Sequence, residues 1–137
     1  MKYKYASTAG SADTQGHLTK RPVVEIEISS GHQTRKFLGL IDSGADQVTM
    51  PAAIAEVFGI DRATCRPHSL MGITMERVEG FIGELEIRIQ HQREAFSCPV
   101  VFIDTDVPIL LGQEGFFDRY RIKFEKDHDT FEIADST

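Results

Sequence analysis

Short runs of alternating apolar and polar residues dominate the chain, and that period of two is the signature of half-buried β-strands. Val24, Ile26 and Ile28 alternate with Glu25 and Glu27, and the turn Ser29-Ser30-Gly31-His32 leads into a second run over residues 34–41, which predicts a hairpin. Leu85, Ile87 and Ile89 alternate with Glu84, Glu86, Arg88 and Gln90, and the polar turn at residues 91–94 leads into residues 95–103, a second hairpin. Residues 121–125 and 130–133, joined by a turn at 126–129, predict a third. Helical spacing occurs only twice. Pro51 suits a first helical position, Ile54, Val57 and Phe58 share a face, and Gly59 ends the segment. Residues 113–120 follow Gly112 and place Phe116, Phe117 and Tyr120 at helical spacing. Residues 6–16 are small and polar, the composition of a loop or extended arm. The expectation is an all-β fold with one or two short helices, a small closed barrel-like domain.

With 137 residues the chain fits one domain and can bury a core without disulfides. We read residues 1–20 as an N-terminal arm and residues 21–137 as the folded domain. Fifteen Lys and Arg stand against 21 Asp and Glu, a net charge of −6, so no basic surplus is available for nucleic acid or anionic lipid. The partners expected are neither nucleic acid nor membrane. The amino terminus continues into Ser, Thr, Gly and Asp, with no apolar segment of a secretory signal, which predicts a cytoplasmic protein. Cys65 and Cys98 are far apart and read as reduced thiols. The five histidines show no metal-ligand spacing, so no metal and no cofactor are expected.

The stretch with most chemistry is FLGLIDSGADQVTM, where an apolar strand runs directly into Asp42-Ser43-Gly44. An Asp-Ser/Thr-Gly tripeptide arises by chance in about one chain in twenty of this length, so the tripeptide needs context. Downstream, VPILLGQEGFF carries a second apolar run ending in a glycine, Gly112. Two such segments suggest crossed loops that hold a carboxylate against a folded wall. Serine as a nucleophile is disfavoured, because no G-x-S-x-G elbow is present.

These residues resemble the retropepsin-like aspartic proteases, the single-lobed relatives of the pepsins. The resemblance covers about residues 23–133 and rests on LIDSGAD, on ILLG with the segment after it, and on a glycine-containing hairpin between them. It implies the retropepsin (acid protease) fold, one lobe per chain, and an aspartic endopeptidase acting on extended or unfolded polypeptides. Such chemistry needs two carboxylates sharing a proton; the aspartic-protease dyad is the standard example of that coupling. The chain has one such motif, so the resemblance implies a homodimer contributing one Asp42 per subunit.

By the same resemblance Ser43 and Gly44 support the catalytic loop, Ser43 bonding across the dimer axis. Ala45 and Asp46 bind substrate, and Leu111, Gly112 and Gln113 are structural partners of that loop. Gln113 stands where the family commonly has an arginine paired with the acidic residue at Asp46, so an Asp46–Gln113 hydrogen bond is expected, with Arg119 or Arg121 as substitutes. Residues 68–89 would form a flap, with Met71, Gly72, Ile73 and Thr74 binding substrate, Met75 near it, and Gly80 and Gly83 bending its descending strand. Pocket walls are expected from Leu40, Val48, Ile73, Val107 and Ile109, which favours apolar substrate side chains, while the acidic net charge favours basic or neutral peptides over acidic ones. Terminal strands, residues 1–5 or 130–133, would join a sheet shared between subunits. The rival readings are a dimeric peptide-binding scaffold with the same fold that does not cut, and an unrelated barrel with an accidental turn motif.

Overall fold

A computed structural model of the chain describes residues 1–71 and 75–136. The strands are β1 (Lys2–Lys4), β2 (Ala6–Ala12), β3 (Leu18–Arg21), β4 (Val23–Ser30), β5 (Gln33–Ile41), β6 (Val48–Pro51), β7 (Arg66–Met71), β8 (Arg77–Ile89), β9 (Phe96–Ile103), β10 (Ile109–Leu111), β11 (Tyr120–Glu125) and β12 (Thr130–Asp135), with one helix, α1 (Ala52–Val57), after β6. No described helix is long and apolar enough to cross a membrane.

Six strands close into a barrel in the order β4-β5-β10-β6-β9-β8, and the pairing of β4 with β8 completes the ring. Its seam follows from the alternation in the sequence: Ile26 lies opposite Ile89 and Ile28 opposite Ile87, all four fully buried, while Glu27 and Arg88 pair on the outer face. A one-residue slip would turn those isoleucines to solvent, so burial itself sets the register. Closure removes the barrel's free edges. The interior is aromatic as well as aliphatic, with Phe81 and Phe102 stacked at 5.3 Å and Phe116 buried against Tyr120. All three expected hairpins are present, as β4–β5, β8–β9 and β11–β12.

The helical expectations divide. In the first segment Pro51 is the last residue of β6 and the cap of α1, not its first helical residue; Ile54, Ala55 and Phe58 face the core and Val57 faces outward. The segment at residues 113–120 is a series of turns, not a helix. The Glu114 N–H is taken by the Asp46 carbonyl, Gly115 sits at φ +94°, and Phe117 and Asp118 donate to the carbonyls five residues back, Gly112 and Gln113. Long-range bonding thus displaces the helical ladder at its first turn, and the aromatic spacing is met by turns.

The amino terminus also differs from the expected loop. β2 and β3 pair as an antiparallel hairpin with an irregular register between Ser7 and Ala12. Its residues are mostly exposed, so no single buried face imposes an alternation that could be read from sequence. β1 pairs with β12 of its own chain, and β12 pairs on its other side with β11. Tyr3 is buried there, stacked on Phe131 at 5.3 Å, with its hydroxyl donating to the Gln90 carbonyl at 2.5 Å. Both expected terminal strands are therefore used within one chain, in a three-stranded sheet. Gly80 and Gly83 lie where β8 crosses Phe102 of β9: a β-carbon would come within 2.6 Å of the Phe102 carbonyl at Gly80 and 2.8 Å of its ring at Gly83. Their role in the described structure is close strand approach.

Candidate active site

Asp42 follows the last residue of β5, and Gly112 follows the last residue of β10. These two strands are parallel, with Ile41 opposite Leu111, so both chain segments leave the sheet side by side. The Asp42 N–H donates to the Leu111 carbonyl at 3.1 Å, which fixes the backbone of the aspartate. The loop then folds back: the Gly44 N–H donates to Asp42 Oδ1 at 2.9 Å and the Ala45 N–H to the Asp42 carbonyl at 3.2 Å. Asp42 is half-buried, and its second carboxylate oxygen has no hydrogen bond among the described residues. It is free for water or for a proton shared with another group.

The segment after β10 clasps this loop along its length. Gln113 N–H donates to the Ala45 carbonyl and Glu114 N–H to the Asp46 carbonyl, both at 2.9 Å, and Gln113 Nε2 donates to the Ser43 carbonyl at 2.7 Å. Gly112 sits where a β-carbon would lie 2.3 Å from the Gln47 carbonyl oxygen and 2.6 Å from that of Ala45, so only glycine lets the two backbones approach. The crossed-loop expectation is met by Leu111, Gly112 and Gln113 against residues 42–47. The Gln113 partner is different from the one expected, because its amide reaches the Ser43 carbonyl and leaves the Asp46 carboxylate without a side-chain partner among the described residues. Neither arginine substitutes: Arg119 stacks on Phe96 and pairs with Glu94, and Arg121 is exposed on β11.

A cleft of about 350 Å³ opens from this loop. Gly44, Ala45, Asp46, Gln47 and Thr49 form one wall, and His68, Ser69, Leu70, Met71 and Val78 of the β7–β8 hairpin form the other, with Ile103, Val107 and Leu110 between them. Of the expected substrate contacts, Ala45, Asp46 and Met71 line it, whereas Gly72, Ile73 and Thr74 lie outside the described residues. Met75 is 73% exposed and lies outside its lining. Of the expected pocket walls Val107 lines it, but Val48 and Ile109 are buried in the core. Leu40 lines a separate cleft of about 380 Å³ with Leu38, Pro108 and the β2–β3 hairpin. The inward row His68, Leu70 and Val78 was missed in the sequence, although the alternation of half-buried and exposed positions in β7 follows the period of two.

Neither a family model nor a curated protein matches the chain by sequence. Solved structures do match it in shape. EIAV protease complexed with the inhibitor HBY-793 superposes with a TM-score of 0.52 at 21% identity, over 69% of this chain and 84% of that one. A retropepsin-like aspartic protease from Rickettsia conorii superposes with a TM-score of 0.59 at 15% identity, over 98% of both chains. The chain has the retropepsin-like fold. The retroviral protease-like domain of Ddi1 from Leishmania major is similar as well, with a TM-score of 0.50 at 14% identity, over 81% of this chain and 87% of that one. With this fold, the reading as an unrelated barrel falls away. Among the described residues no group of three His, Cys, Asp or Glu side chains is placed to hold a metal ion.

Proposed function

We propose that the protein is an aspartic endopeptidase that works as a homodimer, with Asp42 of each subunit forming the dyad. The observation that carries this reading is the fixing of Asp42: its N–H is held by the Leu111 carbonyl, one carboxylate oxygen by the Gly44 N–H, and the other faces no protein donor among the described residues. A carboxylate held in this way beside a cleft has the geometry of a general base or acid whose partner must come from outside the chain. Two copies related by a two-fold axis supply it, since an isologous contact places a residue opposite itself. Two such carboxylates share one proton, because like charges at that separation cannot both ionise. The ionised member then takes a proton from the attacking water and the protonated one donates to the scissile carbonyl oxygen. Extended polypeptide is the substrate class, since the cleft lies between the Asp42 loop and a β-hairpin.

The test is proteolysis of an unfolded protein by the wild type and Asp42→Asn between about pH 4 and pH 10, read by mass spectrometry. Cuts made by the wild type alone, on a bell-shaped pH curve, are expected, with the variant keeping its fold and dimer. A rate still rising above pH 8 would argue for another nucleophile, and a stable dimer that cuts nothing would favour the peptide-binding scaffold.

A further inference from the structure

The cleft beside Asp42 carries donors as well as an acceptor, and they stand on facing walls. On the hairpin wall His68 alternates with Leu70 as a half-buried position of β7, and no described residue accepts its imidazole N–H. On the loop wall Gln47 is half-buried with Oε1 shut off from solvent, so the side of its amide open to the cleft is the Nε2 donor. Next to it, the exposed Asp46 carboxylate accepts from no described side chain. The hydroxyls of the cleft are already committed: Thr49 donates to the Gln47 carbonyl at 3.3 Å and Ser69 donates to the Glu79 carboxylate at 3.0 Å. Between the walls, Leu70, Val78 and Leu110 are aliphatic and suit a methylene stem.

Each class of side chain leaves a different remainder in such a cleft. Lysine and arginine suit Asp46 but turn donors on the donors of His68 and Gln47. Glutamate suits the two donors but sets a second negative charge beside Asp46. An aliphatic side chain takes water from all three groups and pairs with none, which is the unfavourable case for a polar group being buried. A primary carboxamide pairs with all three: its oxygen has two lone pairs, one for His68 and one for Gln47 Nε2, and its NH2 donates to Asp46. We propose that this cleft is a subsite for a glutamine side chain of the bound polypeptide, with His68 and Gln47 as the residues that set the selectivity and the methylenes of the glutamine against Leu70, Val78 and Leu110. The proposal rests on the reading of this cleft as the peptide-binding cleft of a protease, and it names which peptides that protease selects.

Binding tests it separately from cleavage. Fluorescent peptides that differ at one position, carrying Gln, Glu, Lys or norleucine in turn along the sequence, are titrated into the full-length Asp42→Asn protein at pH 7 and followed by anisotropy. At one position Gln should bind about tenfold tighter than norleucine, with Glu and Lys both weaker than Gln. His68→Leu and Gln47→Met, each added to Asp42→Asn, should cut that preference to about threefold or less while norleucine peptides bind as before. A variant that misfolds would weaken every peptide alike, so the split between Gln and norleucine reports the side-chain contact. Equal binding of Gln and norleucine at every position, Lys or Glu stronger than Gln wherever Gln exceeds norleucine, or a Gln preference that survives both variants overturns the subsite. A Gln preference in binding together with no cleavage by the wild type supports the subsite and overturns the protease reading alone.

Discussion

Gly112 has no room for a β-carbon, and the atoms it would meet are the carbonyl oxygens of Gln47 and Ala45 at 2.3 and 2.6 Å. Backbone cannot step aside as a flexible side chain does, so Gly112→Ala must push the Asp42 loop away from its clasp. The expected cost is about 3 kcal/mol or more, read as a drop of roughly 10 °C in melting temperature with loss of peptide cleavage. Cys98 makes a different prediction. Burial, with Glu114 and Glu84 adding to it, pushes its thiol from 9.0 up to about 12. Folding therefore favours the protonated thiol: that stability is complete below pH 9 and is lost as pH rises from 9 towards 12, to a total of about 4 kcal/mol. Tyr3 and Tyr120 are also raised, chiefly by burial, and act in the same direction. Urea midpoints measured from pH 8 to 11 should fall, and Cys98→Ala should flatten the fall. Both residues were visible in the sequence as a glycine after a strand and a lone thiol, but their neighbours were not.

At the scale of elements, the clasp between the segment after β10 and the Asp42 loop joins residues 70 positions apart through the Gln113 amide. That amide ties down the Ser43 carbonyl from an exposed position, so its loss should loosen the loop without unfolding the barrel. Gln113→Ala is expected to lower kcat/KM about tenfold, while the melting temperature shifts by only a few degrees, in keeping with one hydrogen bond of ~1 kcal/mol. Steady-state kinetics and a thermal melt on the same preparation check both halves. The same clasp explains why the helical spacing of Phe116, Phe117 and Tyr120 misled: the aromatics are in the core or against it as the spacing implied, but the Glu114 N–H bonds the Asp46 carbonyl and Gly115 turns left-handed. β2–β3 escaped for the opposite reason, being a surface hairpin with little buried pattern to read.

For the whole molecule, the proposed dyad needs a second chain, while β12 already has β1 on one side and β11 on the other. A sheet shared between subunits would therefore have to grow from the edges of β1 or β11 and not from β12. A dyad shared between two chains makes activity depend on their association. Specific activity should rise with protein concentration and reach a plateau where light scattering shows two chains; activity per chain that is independent of concentration would contradict a dyad shared between subunits. What the amino-acid sequence determined by itself was local: the alternation of each strand, the three hairpins, and the Asp42-Ser43-Gly44 turn at the end of an apolar strand, because periodicity and turn chemistry act between near neighbours. What only the tertiary structure decided was which distant segments meet: Gly112 beneath residues 45–47, β1 against β12, and His68, Leu70 and Val78 facing Asp46 across a cleft. Those pairings arise from barrel closure and long-range backbone bonding, which the residue pattern permits without specifying.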